Sequence, residues 1–368
     1  MDVLKKLNSF DPAERAKALK ECASCFDSFN LHCHSFYSYN GYGYSPEMLI
    51  ALAAFFRWRG VGLVDFDVLD GVDEFLAAAA KLKINAVCGM ETRVYCPELA
   101  RAVISSPGEP GITYHLGFGF KSSQVPEAQR AFASELRNKA RERTRGIAER
   151  VNQVLPEIAL HFDQMAHIFT PRGNVTERHL CAAYRAQAEK RFVDAEERAA
   201  FWQEKLGKFE EDPVALEALI RSKTMKKGGV GYMEPKPENF PTLKEMNAFV
   251  TGCGAVPTLA WLNGLSDGEA DPDALLDLHQ SCGTKAATII PDRNWRSSDP
   301  AKKAQLLDAL DKFMRACAKR RIPVLAGTEL NAPGQLLCDD YTIPELSPYR
   351  EQLLAGCEYI KTPNFRDQ

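Results

Sequence analysis

The sequence predicts an α/β fold in which short strands and helices alternate and close into a barrel, with a helical segment inserted between the fourth and fifth strands. Three observations predict it. Seven apolar runs have the length and β-branched content of buried strands: 28–33, 60–65, 85–94, 112–118, 255–261, 285–290 and 322–328. Helical patterns separate several of them, which implies parallel strands with right-handed crossovers. The first strand lacks the glycine-rich phosphate turn that an open doubly wound sheet would place after it. A closed barrel gathers its functional residues at the C-terminal strand ends.

The helices are signalled locally. In 46–59, PEMLIALAAFFRWR, a proline stands in the first turn and Gly60 follows the last. Residues 72–83 and 301–320 behave similarly. From about residue 125 to 227 nearly every window is charged and helical, so the predicted organisation is a first barrel part at 1–124, an insert at 125–230, and a second barrel part with a tail at 231–368. The start of the insert is locally basic, and its arginines read as a solvated helix face.

Composition bounds the function. The chain has 368 residues, 45% hydrophobic and 26% charged, as in a protein with a substantial core. A net charge of −3 argues against a dedicated nucleic-acid binder. No stretch approaches the ~20 apolar residues of a membrane span, and the polar N-terminus does not read as a signal peptide. Eleven cysteines in such a chain fit reduced thiols and a cytoplasmic location. Cys22 and Cys25 form a lone C-x-x-C without a second pair at zinc-ribbon spacing.

The chemistry concentrates at strand ends. His32 and His34 stand at i and i+2 in 30–35, NLHCHS, which puts both on one face of a strand. The second strand closes on Asp65, Phe66 and Asp67, the third on Glu91 and Arg93, the fourth carries His115, and the seventh runs into Glu329 and Asn331. Carboxylates converging with imidazoles need a cation, and this ligand set suits Zn, Mn or Fe. The aromatic loop 36–44, FYSYNGYGY, directly follows the two histidines and could line a pocket.

This order of motifs resembles the PHP superfamily, the polymerase and histidinol phosphatase group, and especially its small metal-dependent phosphoesterases with a helical insert. H-x-H-S, then Asp-Phe-Asp where the family has Asp-His-Asp, then a Glu strand and H-x-L-G are similar to the family pattern across residues 30–120. Residues 231–236 look like its return into the barrel and 255–261 like the strand that usually ends Ala-His-Pro. The resemblance implies a distorted seven-stranded TIM-like barrel. It implies that His32, His34, Glu91 and Glu329 hold one divalent metal and that His115 belongs to a second. Phe66, Trp261 and Asn331 stand where further ligands would be, so the centre is degenerate, with one metal or a reduced pair. Asp65 is the expected base, or a carboxylate orienting a histidine. Asn40, Arg93, Arg178, His179 and Asn331 are the expected substrate-binding groups. Lys223, Lys226 and Lys227 could cap a phosphate. The implied function is a metal-dependent hydrolase of a small anionic metabolite, a phosphoester among the candidates. The alternative is a non-catalytic relative that binds a metal or small ligand in a regulatory or scaffold role.

Overall fold

A computed structural model of the chain describes residues 28–360. The N-terminal helix and the Cys22–Cys25 pair read from the sequence lie outside the described residues. Seven strands form one sheet in sequential order: β1 (Asn30–Cys33), β2 (Val61–Phe66), β3 (Ala86–Tyr95), β4 (Ile112–Phe118), β5 (Val256–Ala260), β6 (Ala286–Ile289) and β7 (Val324–Ala326). Each sequence run contains or overlaps one of these strands.

The sheet curls until β1 and β7 nearly meet, and Asn30 bridges the seam. Its Nδ2 donates to the carbonyls of Thr328 and Leu337, both at 2.9 Å, while its Oδ1 accepts from Thr328 N and His32 N, both at 3.0 Å. The backbone bond from His34 N to Glu329 O, 2.9 Å, continues the closure. Gly327 makes the approach possible, because a Cβ there would stand 2.2 Å from Asn30 Oδ1.

Helices clothe the sheet. α1 (Pro46–Phe55) and α2 (Val72–Leu82) flank β2; α1 starts on a Ser45 N-cap, with Pro46 at its first position. The central segment holds α3 (Arg130–Val154), α4 (Phe162–Phe169), α5 (Glu177–Arg191), α6 (Ala195–Leu206) and α7 (Pro213–Thr224). These helices pack around their own apolar cluster, which includes Leu180, Tyr184, Trp202 and Ile220, apart from the barrel core. The chain then adds α8 (Leu243–Gly252), α9 (Pro272–Ser281), α10 (Pro291–Trp295), α11 (Pro300–Arg320) and α12 (Arg350–Tyr359).

One sequence expectation is corrected. β4 runs antiparallel to both β3 and β5, whereas the other neighbours are parallel. The link from β3 to β4 contains only a short 3-10 turn, Pro97–Leu99, so no crossover helix carries the chain back to the starting edge. The N-terminal end of β4 therefore lies at the barrel mouth. Among the described residues no helix is long and apolar enough to cross a membrane, and the nine cysteines form no disulfide with one another.

Candidate metal centre

His32 on β1 and His34 directly after it alternate with the core residues Leu31 and Cys33, so both imidazoles enter the barrel at its mouth. Glu91 comes from β3, where Phe66 of β2 is its register partner. His32 Nε2 stands 3.2 Å, and His34 Nε2 3.0 Å, from Glu91 Oε2. One ligand atom from each of the three lies within 4.8 Å of the others, and all three residues are buried.

The surroundings fix how His34 presents itself. Its Nδ1 donates to Ser38 Oγ at 3.1 Å, and that hydroxyl donates to Asp65 Oδ1 at 2.7 Å. Asp65 also accepts from Ser35 N, 2.8 Å, and Ser35 Oγ, 2.6 Å. The relay leaves His34 Nε2 toward Glu91, with no well-aligned hydrogen-bond partner. A buried imidazole nitrogen beside a carboxylate oxygen, without an aligned bond between them, is an arrangement that a divalent cation satisfies. The three residues fit such an ion. Burial opposes charge on His34, but Glu91, Asp65 and Glu329 outweigh it and raise its pKa. Burial likewise pushes Glu91 up, and the two imidazoles more than offset it, so its carboxyl titrates below the usual range.

Around this cluster opens a cavity of 520 Å³ between the barrel mouth and the inserted helices. Its lining is rich in cations. Arg93 pairs with Glu109 at 2.6 Å, and Arg221 and Lys226 share Glu177, each at 2.7 Å. Arg143 reaches Asp67 only at 3.5 Å. Arg178 lies 6.0 Å over the Tyr39 ring, and Arg293 pairs with Glu329 at 2.8 Å. Two backbone positions at the mouth, Asp67 and Leu330, take left-handed φ values of 59° and 54°, uncommon for residues other than glycine.

The sequence-expected residues divide. His32, His34 and Glu91 come together; Arg93, Arg178 and Asn331 line the cavity. Glu329 lines it too, but its carboxylate is held by Arg293 and, at 3.2 Å, by Gln335 Nε2. Asp65 lies behind His34, in the serine network described above.

Three expectations are corrected. His115 lies on the outer face of β4, because Tyr114 shares the inner face with its register partner Arg93 and side chains alternate. Its Nε2 is 2.7 Å from Asn247 Oδ1 of α8, and burial lowers its pKa to about 4. Asn40 folds the aromatic loop instead of facing the cavity: it donates to His34 O, 2.8 Å, and accepts from Tyr42 N and Tyr44 N. His179 caps α5 by accepting from Thr176 N at 3.0 Å.

Phe66 stacks on His34 with centroids 4.3 Å apart and lines the cavity. Trp261 also lines it, but its ring lies flat on Phe313 of α11, at 4.2 Å and 4°. Sequence reading missed Tyr114, Arg143, Arg221 and Arg293. For Arg143 a signal existed, since it falls on the buried face of α3 with Ala140, Thr144 and Ile147.

A family model described as the PHP domain matches residues 30–217, just over half of the chain. The chain belongs to the PHP family. Two solved structures resemble this PHP chain. One is an amidohydrolase from Chromobacterium violaceum with bound sulfate and no metal, at 20% identity and a TM-score of 0.58, covering 89% of this chain and 96% of that one. The other, from Bifidobacterium adolescentis and provisionally named a metal-dependent phosphoesterase, has 20% identity and a TM-score of 0.53, covering 87% and 95%. At that identity they show the shared fold. No curated protein matches the chain.

Proposed function

We propose that this PHP protein is a metal-dependent hydrolase of a small anionic substrate, a phosphoester in the first instance, with one divalent cation held by His32, His34 and Glu91. The observation that carries the reading is the position of this three-ligand cluster at the floor of a cation-lined cavity. A divalent cation supplies Lewis acidity and charge neutralisation at an anionic reacting centre.

The chain's own groups do the rest. Arg143, paired with Asp67 only at 3.5 Å, and Arg178, set over the Tyr39 ring, attract and orient the anion from the roof of the cavity. Tyr114, half-buried near Arg93 and Arg293, adds a hydroxyl on the same wall. Asp65 acts through Ser38 as a positioning group, because it fixes which nitrogen of His34 faces Glu91. The carboxylate of the β2 end that reaches the cavity is Asp67, held by Thr92 Oγ1 at 2.5 Å, and it is the better candidate for acid–base work. Phe66 shields one face of His34 from water.

A second reading, a non-catalytic metal or ligand binder, draws on the engagement of Asp65 in serine bonds and of Glu329 by Arg293. Elemental analysis of protein purified without added metal, together with hydrolysis of an aryl phosphate, separates the readings. The expectation is about one divalent metal per chain, lost in His32→Ala and Glu91→Gln, with slow turnover that is lost with it. Metal without turnover on a panel of phosphoesters favours the second reading. Wild-type protein with no metal, and none taken up from excess Mn or Zn, would sink the first.

A further inference from the structure

Glu329 is a carboxylate only 6% exposed at the end of β7, within electrostatic reach of Glu91, His32 and His34. A buried carboxylate beside another needs positive charge close by. Here that charge comes from the protein. Arg293 Nη2 donates to Glu329 Oε2 at 2.8 Å, and Gln335 Nε2 approaches the same oxygen. The guanidinium is not sealed in: its side chain is 45% exposed and it lines the cavity, so its remaining N–H groups are available there. Its backbone is held firmly. Pro291 opens α10 directly after β6, and the buried Asn294 donates to Leu262 O at 2.7 Å.

We propose that Arg293 is a positioning residue that stands in for a second cation. It neutralises Glu329, keeps that carboxylate out of the His32–His34–Glu91 ligand set, and presents a fixed positive charge to the anionic substrate. The inference rests on the metal reading above and goes beyond it by assigning the second positive charge to a side chain. A guanidinium keeps its charge at every working pH and cannot be stripped by a chelator. Its charge-assisted bond to Oε2, joined on the same oxygen by Gln335 Nε2, holds Glu329 toward α10. The centre then depends on one exchangeable cation only.

The test is titration of chelator-stripped protein with Mn²⁺, followed by calorimetry. Arg293→Met keeps the side-chain volume and removes the charge, so Glu329 is released toward the cluster. Mn²⁺ should then bind about tenfold more tightly than in wild type, the scale on which a group supporting a metal site acts. Arg293→Lys, which retains the charge, should stay close to wild type. Adding Glu329→Gln to Arg293→Met should abolish the gain; a gain that persists without Glu329 overturns the proposal. Glu329→Gln alone should bind Mn²⁺ as wild type does, and loss of binding there also overturns it. Equal affinity in wild type and Arg293→Met overturns the proposal while leaving the metal reading intact. If neither protein binds Mn²⁺ or Zn²⁺, both fall.

Discussion

At the residue scale the same amino acid performs opposite tasks, according to the face of the strand it occupies. His32 and His34 point into the mouth and share Glu91. His115 points outward and joins a buried polar chain in which Asn247 Nδ2 donates to Cys282 O and Thr284 Oγ1. Burial holds His115 neutral, with a folded pKa of about 4 against an ordinary value of 6.5. The sign follows from linkage. The unfolded chain takes up a proton here before the folded one does, so this contribution is fully present above about pH 6.5 and is lost as pH falls toward about 4. His115→Gln should leave metal content unchanged and lower the melting temperature at pH 7. The gap to wild type should narrow at pH 5, as followed by thermal unfolding. A gap that stays constant with pH would contradict a buried neutral imidazole, and loss of metal would return His115 to the ligand set. The pairing of His32 with His34 was legible because i and i+2 on a strand must share a face. The outward turn of His115 was not, because an isolated histidine in an apolar run carries no mark of which face is inside.

At the element scale, direction and facing decide what a segment does. The basic start of α3 reads as uniform in sequence, yet its arginines divide in space. Arg130 is solvent-exposed and pairs with Glu127, one turn away. Arg143 turns toward the cavity, 5.9 Å from the Phe240 ring, where burial and nearby Arg93 lower its pKa. Inorganic phosphate as a competitive inhibitor distinguishes the two. Arg143→Ala should weaken its inhibition about tenfold or more, since charge-assisted bonds to charged groups are worth about 1.5–3 kcal/mol. Arg130→Ala should change it little, as exposed pairs contribute about 0–1 kcal/mol. Equal effects would mean that the roof of the cavity does not hold the anion. The reversal of β4 belongs to this scale too. The sixteen-residue link between β3 and β4 carries no amphipathic helix, and that absence was the available sign that no parallel crossover is made there. Arg293 was hidden for a different reason, since α10 is five residues long and shows no periodicity to mark a face.

At the scale of the whole molecule, the barrel brings residues far apart in sequence to one mouth, and the inserted helices roof it. Closure depends on Asn30, three of whose bonds tie β1 to the segment after β7, and the same segment delivers Glu329 toward the centre. The seven strands and the intervening helices were readable from hydrophobic runs and their punctuation, because buried strands tolerate few polar residues. The cavity was not, because it lies between two packed bodies whose mutual placement no local pattern records. The central claim is that this mouth holds one divalent cation on His32, His34 and Glu91, with the neighbouring positive charge supplied by arginine. Anomalous scattering from crystals soaked in Mn²⁺ tests it most directly. A single strong peak is expected among those three side chains, with the Arg293–Glu329 pair intact. Two or three peaks at the mouth, or one that Glu329 ligates after parting from Arg293, would contradict it.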